Sequence, residues 1–203
     1  MSLYTKYILP KYLDWSMRQS TLKEYRREVA SAVSGMGLEI GFGSGLNLPY
    51  YRNVTKLYAL DPSEELYDFA AERIASAPFP VEHLPASAEQ IPLPDNSLDF
   101  VVSTWTLCSI PHPDTALKEV LRVLKPGGIF SFVEHGRSPK TSIATIQSFL
   151  TPASKHLAGG CHLDRNIEKL IHDAGFDIQK LETFSPQSKP LRFTYKGVAM
   201  AHL

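Results

Sequence analysis

Short apolar runs alternate with helical stretches across the middle of the chain, and that alternation restricts the fold more than any other feature. Residues 38–42, 56–61, 81–85, 98–103 and 129–133 read as strands. The run at 98–103 is almost continuously apolar, as a strand covered on both faces should be. Between the second and third strands, Ser63 opens a helix with Glu64 and Glu65 in its first turn, where carboxylates favour the helix dipole. It runs to about residue 77, before Pro78 and Pro80. Before the fifth strand, Asp114 is expected to cap a helix with Leu117, Val120, Leu121 and Leu124 on one face, ending at Lys125-Pro126-Gly127-Gly128. Strands separated by helices imply βαβ units and a parallel sheet.

The flanks are organised differently. Residues 1–35 read as a helical arm. Pro10 suits the first turn of one helix, and Thr21 with Glu24 has the spacing of a capping box for another, which Gly35 and Gly37 would stop. The arm packs on the body as an amphipathic lid, or serves as a substrate lid that also touches a membrane surface. After residue 140 come a helix interrupted at Pro152, a helix over 163–174, and two strands at 176–184 and 191–201 joined by a proline-containing turn. Two successive strands suggest an antiparallel hairpin at the end of the sheet. The whole reads as one domain: arm 1–35, cofactor-binding core 36–140, acceptor-side helices and hairpin 141–203.

Composition excludes several classes. Lys+Arg and Asp+Glu both total 21 in 203 residues, so nucleic-acid binding by bulk charge is not expected. Two cysteines, Cys108 and Cys161, make no disulfide framework. No apolar run reaches the roughly 18 residues of a membrane span, and the start lacks a secretory core. The expected compartment is the cytoplasm.

The chemistry centres on Glu39-Ile-Gly41-Phe-Gly43-Ser-Gly45, read as a turn between a strand and a helix. Glycines let the chain turn tightly and let a ligand approach bare backbone. Asp61 follows Gly45 by 16 residues, at the end of the next strand, where a carboxylate can accept both hydroxyls of a ribose. Against the dinucleotide fingerprint G-x-G-x-x-G, the third glycine comes one residue early and Leu46 stands in its place. Glu39 would repel a pyrophosphate and attract a sulfonium or ammonium. A cationic nucleoside therefore fits better than NAD.

Leu38-Glu-Ile-Gly-Phe-Gly-Ser-Gly45 resembles the first motif of class I S-adenosylmethionine-dependent methyltransferases, and Asp61 their acidic second-strand residue. Residues 86–100 are similar to the adenine loop and fourth strand of the UbiE-like branch, and 121–128 to the turn before the fifth strand. Together these cover about residues 37–135. More narrowly, Leu107-Cys-Ser-Ile110, Val133-Glu-His135, Gly160-Cys-His-Leu-Asp-Arg165 and Tyr195-Lys-Gly-Val-Ala199 are similar to the membrane-associated alkyl-thiol methyltransferase family of animals and its bacterial relatives.

The resemblance implies a Rossmann-like α/β fold, a seven-stranded mostly parallel sheet whose antiparallel last strand is inserted between two others. It implies S-adenosylmethionine as donor, S-adenosylhomocysteine as product and a small-molecule or lipid-like acceptor. A thiol comes first, then a carbon or amine of a quinone or phospholipid head group. The implied cofactor contacts are Glu39, Gly41, Gly43, Gly45, Asp61, Pro62, Ser87, Ala88 and Glu89. Many relatives carry Asp where Ser87 stands, and a hydroxyl accepts more weakly from the adenine amine.

Strand-end logic adds Ser103, Thr104 and Trp105. Trp105 either forms a hydrophobic wall or presents its face to the sulfonium, worth roughly 0.5–2 kcal/mol. His135, after the fifth strand, is either a structural histidine or a proton acceptor. Cys108, His156 and His162 are candidates for the acceptor pocket; a cysteine at position 108 also suits a small buried hydrophobe. Cys161-His162 with Asp164 matches no common zinc spacing, so no metal is expected. His83, His112, His172 and His202 read as surface or structural residues. The rival readings are a nicotinamide-dependent oxidoreductase and a non-catalytic S-adenosylmethionine-binding domain.

Overall fold

The structure, a computed structural model, describes residues 7–185 and 191–202. Seven strands form one sheet: β1 (Ser34–Ile40), β2 (Asn53–Leu60), β3 (Val81–Leu84), β4 (Leu98–Thr104), β5 (Leu124–His135), β6 (Phe176–Phe184) and β7 (Thr194–Ala201). Their order is β3-β2-β1-β4-β5-β7-β6. The first five run parallel, and β7 is antiparallel to both β5 and β6. This is the Rossmann-like class I arrangement, with the last strand inserted as expected. The proline-containing turn between β6 and β7 lies mostly outside the described residues.

Helices cover both faces. On one, α5 (Pro113–Val123) buries Ala116, Leu117, Val120 and Val123, and α7 (Ile167–Asp173) buries Ile167 and Ile171. On the other, α2 (Ser20–Ser31) brings Val29 and Ala30 against Val102 and Val133, and Ser131 Oγ donates to Val29 O at 3.0 Å. Lys196 of β7, almost fully buried, pairs with Glu28 of α2 and with Glu182 of β6. The arm is therefore part of the core. Its first helix, α1 (Leu9–Met17), carries Pro10 in its first turn and reaches the carboxyl edge of the sheet. The remaining helices are α3 (Glu64–Asp68), α4 (Ala71–Ala75) and α6 (Thr141–Leu157).

Several local expectations change. No α-helix follows the glycine triplet; the chain makes only a short 3-10 turn at Leu48–Tyr50 before β2. Pro49 disfavours α geometry at Leu48, while buried Asn47 and Tyr51 tie the segment to Glu39. Helix α2 occupies the sheet face that a crossover helix would cover. Thr21 falls inside the first turn of α2 rather than capping it, and Gly35 and Gly37 lie within β1. Asp114 sits inside α5, whose cap position is His112. Ser63 does cap, accepting from Leu66 N at 3.2 Å, but its helix is divided into α3 and α4. Helix α6 runs unbroken through Pro152, because Ser148, whose carbonyl the proline leaves unpaired, is exposed to water. No helix among the described residues is long and apolar enough to cross a membrane.

Candidate active site

Parallel strands leave their carboxyl ends on one edge, where open α/β sheets bind ligands. A cavity of about 450 Å³ lies there, within the roughly 300–1,000 Å³ of small-molecule sites. Its walls come from the glycine loop, from the ends of β2, β4 and β5, from α1 and from the turn after α6.

Gly43 adopts φ +54°, a left-handed conformation that glycine accepts freely. A Cβ there would meet only Gly41 O, at 3.9 Å, so the bare backbone faces open space. Gly43 N donates to Asp61 Oδ2 at 2.8 Å, and Ser63 N donates to Asp61 Oδ1 at 2.9 Å. Burial pushes the Asp61 carboxyl up from its ordinary range, against those two bonds. Each oxygen keeps a lone pair for a ligand hydroxyl. Gly41, Pro62, Ser87 and Ala88 line the same cavity. Gly45 does not; it packs beneath the loop against Phe42, Leu48 and Ala70.

Three more expected contacts need correction. Glu39 is 1% exposed and does not line the cavity. Its carboxylate accepts from Asn47 Nδ2 at 2.9 Å and from Tyr51 OH at 2.7 Å, so it supports the loop from below. Burial raises its pKa to about 7. Ser103 is also sealed from the cavity, donating to Glu134 Oε1 at 2.6 Å. Glu89 has turned away to accept from His112 N at 2.7 Å. Thr104 and Trp105 do line the cavity, but one face of the indole carries Arg26, 4.8 Å from the ring centroid. The seat expected for a sulfonium on that face is occupied by the chain's own guanidinium.

Arg26 carries no motif, sitting among the alternating charges of α2, and sequence reasoning missed it. Its Nη1 donates to Asn47 Oδ1 and Thr104 Oγ1, and burial lowers its pKa to about 10. Asp14 of α1 was missed for the same reason. Among the described residues Asp14 Oδ1 and Arg26 Nε are buried atoms without a partner, and both residues line the cavity. An orphaned carboxylate oxygen and an orphaned guanidinium N–H suit the ammonium and carboxylate of an amino-acid ligand. Together with Gly43 and Asp61, this donor set fits S-adenosylmethionine, which carries a ribose and a methionine tail.

The far end holds sulfur. Cys108 and Cys161 place their Sγ atoms 3.5 Å apart, and His135 Nδ1 lies 4.0 Å from Cys161 Sγ. All three residues line the cavity. The hydrogen bond with Cys108, then that with His135, lowers the Cys161 pKa, while the same sulfur contact and burial push Cys108 up. His156 and His162, named as acceptor contacts, are not among the lining residues. His83, expected as a surface or structural residue, stacks on Tyr67 with ring centroids 3.6 Å apart.

The family described as a methyltransferase domain matches residues 38–132. The chain is 34% identical over 204 residues to thiol S-methyltransferase TMT1B of Rattus norvegicus, covering 90% of this chain and 82% of that protein. The chain belongs to the class I S-adenosylmethionine-dependent methyltransferases. This methyltransferase is also 30% identical over 166 residues to phosphatidylethanolamine N-methyltransferase of Cereibacter sphaeroides, covering 79% and 81% of the two chains. In fold it is similar to an S-adenosylmethionine-dependent methyltransferase, possible histamine N-methyltransferase, from Thermotoga maritima. The TM-score is 0.69 at 20% identity, over 98% and 99% of the chains.

Proposed function

We propose that this methyltransferase binds S-adenosylmethionine between Gly43, Asp61, Asp14 and Arg26 and methylates a small alkyl thiol at the Cys108–His135–Cys161 end. When bound, the donor supplies an electrophilic methyl group on a sulfonium. Asp61 holds the ribose, Asp14 the ammonium and Arg26 the carboxylate, while α1 covers the cavity and excludes water. A thiol with a pKa near 8.5 needs little help to ionise, and His135 is positioned to take its proton.

The observation that carries the thiol reading is the sulfur-lined end of the cavity, a soft surface that would match a soft acceptor. The likeness to thiol S-methyltransferases supports it. The test is S-adenosylhomocysteine formation across a panel of alkyl thiols, catechols, amines, quinones and phosphatidylethanolamine vesicles. Thiol-dependent product is expected; product with vesicles alone would move the acceptor to a head-group amine.

That second reading has one observation in its favour. Ile8 just before α1 and Tyr12 and Trp15 within it are exposed, Trp15 at 70%, and Phe149 of α6 is 82% exposed. Tyr12 also lines the cavity. Such a rim suits contact with an apolar surface, so apolar acceptors would enter from a membrane face.

A further inference from the structure

Cys108, His135 and Cys161 come from three separate parts of the chain. Cys108 follows β4, His135 ends β5 and Cys161 follows α6. The adjacent pair Cys161-His162, judged against zinc by its spacing, is not the cluster that forms. Two features hold the two cysteine segments together. His162 N donates to Cys108 O at 2.7 Å. Gly160, at φ +89°, lets the Cys161 turn approach Ser109, whose carbonyl oxygen would stand 2.9 Å from any Cβ there.

One ligand atom from each residue lies within 4.8 Å of the others. With metal–sulfur bonds of about 2.3 Å and metal–nitrogen bonds of about 2.0 Å, tetrahedral zinc spaces two sulfurs ~3.8 Å apart and sulfur from nitrogen ~3.5 Å. The observed 3.5 Å between sulfurs and 4.0 Å from sulfur to Nδ1 stand within about half an ångström of those edges. Two thiolates and one neutral imidazole balance a divalent charge. Arg165 interacts electrostatically with both sulfurs and favours that charge state, while Glu134 beside them is engaged by Ser103 Oγ, Thr106 N and Cys108 N. Three protein ligands with one open position is the pattern of catalytic rather than structural zinc.

We propose that Cys108 Sγ, His135 Nδ1 and Cys161 Sγ bind one thiophilic divalent cation, zinc by its preference for this donor set, with the fourth position open to the cavity. An acceptor thiol enters that position as a thiolate, its proton leaving to solvent. This use of the fourth position rests on the thiol reading above; binding of the cation does not. On this account Nδ1 is a ligand and takes no proton from the acceptor, so the two roles given to His135 exclude one another.

The test is an anaerobic cobalt(II) titration of the full chain, reduced and shown by thiol assay to carry both cysteines free. The expected result is one equivalent of cobalt with thiolate charge-transfer absorption and the intense d–d bands of tetrahedral geometry, displaced by one equivalent of zinc. Cys161→Ser and His135→Gln should each weaken binding at least tenfold. Weak octahedral bands with both thiols reduced would overturn the proposal, as would unaltered affinity in both variants. The wild-type spectrum decides even where a variant misfolds. Adding a small alkyl thiol should shift the cobalt bands; unshifted bands would remove the acceptor role. S-adenosylhomocysteine calorimetry on the same sample separates failures: bound nucleoside without bound metal sinks this proposal and spares the donor site.

Discussion

At the scale of single residues, the donor site divides into groups that touch the cavity and groups that shape it. Asp61→Ala should weaken S-adenosylhomocysteine binding by about 1.5–3 kcal/mol, the range for hydrogen bonds to a charged group; an unchanged calorimetric Kd would relocate the ribose. Gly43→Ala meets no wall, since the nearest atom is 3.9 Å away, so its folding cost is the left-handed backbone alone, about 1–2 kcal/mol. Its methyl group would stand in the cavity, and a loss of affinity greater than tenfold is expected in the same calorimeter. Glu39 acts on stability. Its carboxyl titrates near 7 when folded because burial favours the neutral form, against about 4.3 in an unfolded chain. A raised carboxyl pKa contributes stability that is whole below the unfolded value and lost as pH climbs through the folded one. Denaturant melts should therefore lose about 3 kcal/mol between pH 4 and pH 8, and Glu39→Gln should flatten that slope. Gly43 and Asp61 were legible in the sequence because backbone freedom and strand-end placement leave a local mark. Arg26 and Asp14 were not, because an arginine or aspartate in a mixed-charge helix looks the same whether it faces water or a cavity.

At the scale of elements, the two helices of the arm have separate duties. Helix α2 stacks on the sheet through Val29 and Ala30, both nearly inaccessible. Helix α1 instead supplies Tyr12, Leu13, Asp14 and Met17 to the cavity wall. Deleting residues 1–18 should leave a cooperative thermal transition while S-adenosylhomocysteine affinity falls. Deleting residues 1–32 should leave no cooperative transition, because the face that holds Val102 and Val133 would be laid open. If the longer deletion melts like the intact protein, α2 is an accessory after all. The β-strands were visible in advance because apolar runs flanked by turns have few other uses. The absent crossover helix was not, because its absence depends on side chains of Asn47 and Tyr51 reaching Glu39, a contact without periodicity.

At the scale of the whole molecule, the sheet order and the sulfur cluster depend on chain crossings that no local pattern records. The inserted last strand came from likeness to a family and not from spacing. The meeting of Cys108 with Cys161 needed the fold itself. The exposed apolar rim also belongs to this scale. Trp15→Ser combined with Phe149→Ser should reduce co-sedimentation with phosphatidylcholine vesicles while leaving the thermal midpoint nearly unchanged; equal pelleting of both proteins would remove the membrane face from consideration.

Strand β7 lies between β5 and β6 and pairs Thr194 with His135. On the ribosome, β5 has emerged long before its eventual neighbour is made. Until β7 is released, the strand that ends in His135 presents a bare hydrogen-bonding edge, the usual template for illicit pairing between nascent chains. A product cut short before residue 194 would keep the glycine loop intact yet be prone to aggregate, and the histidine would have no stable register from which to reach either sulfur.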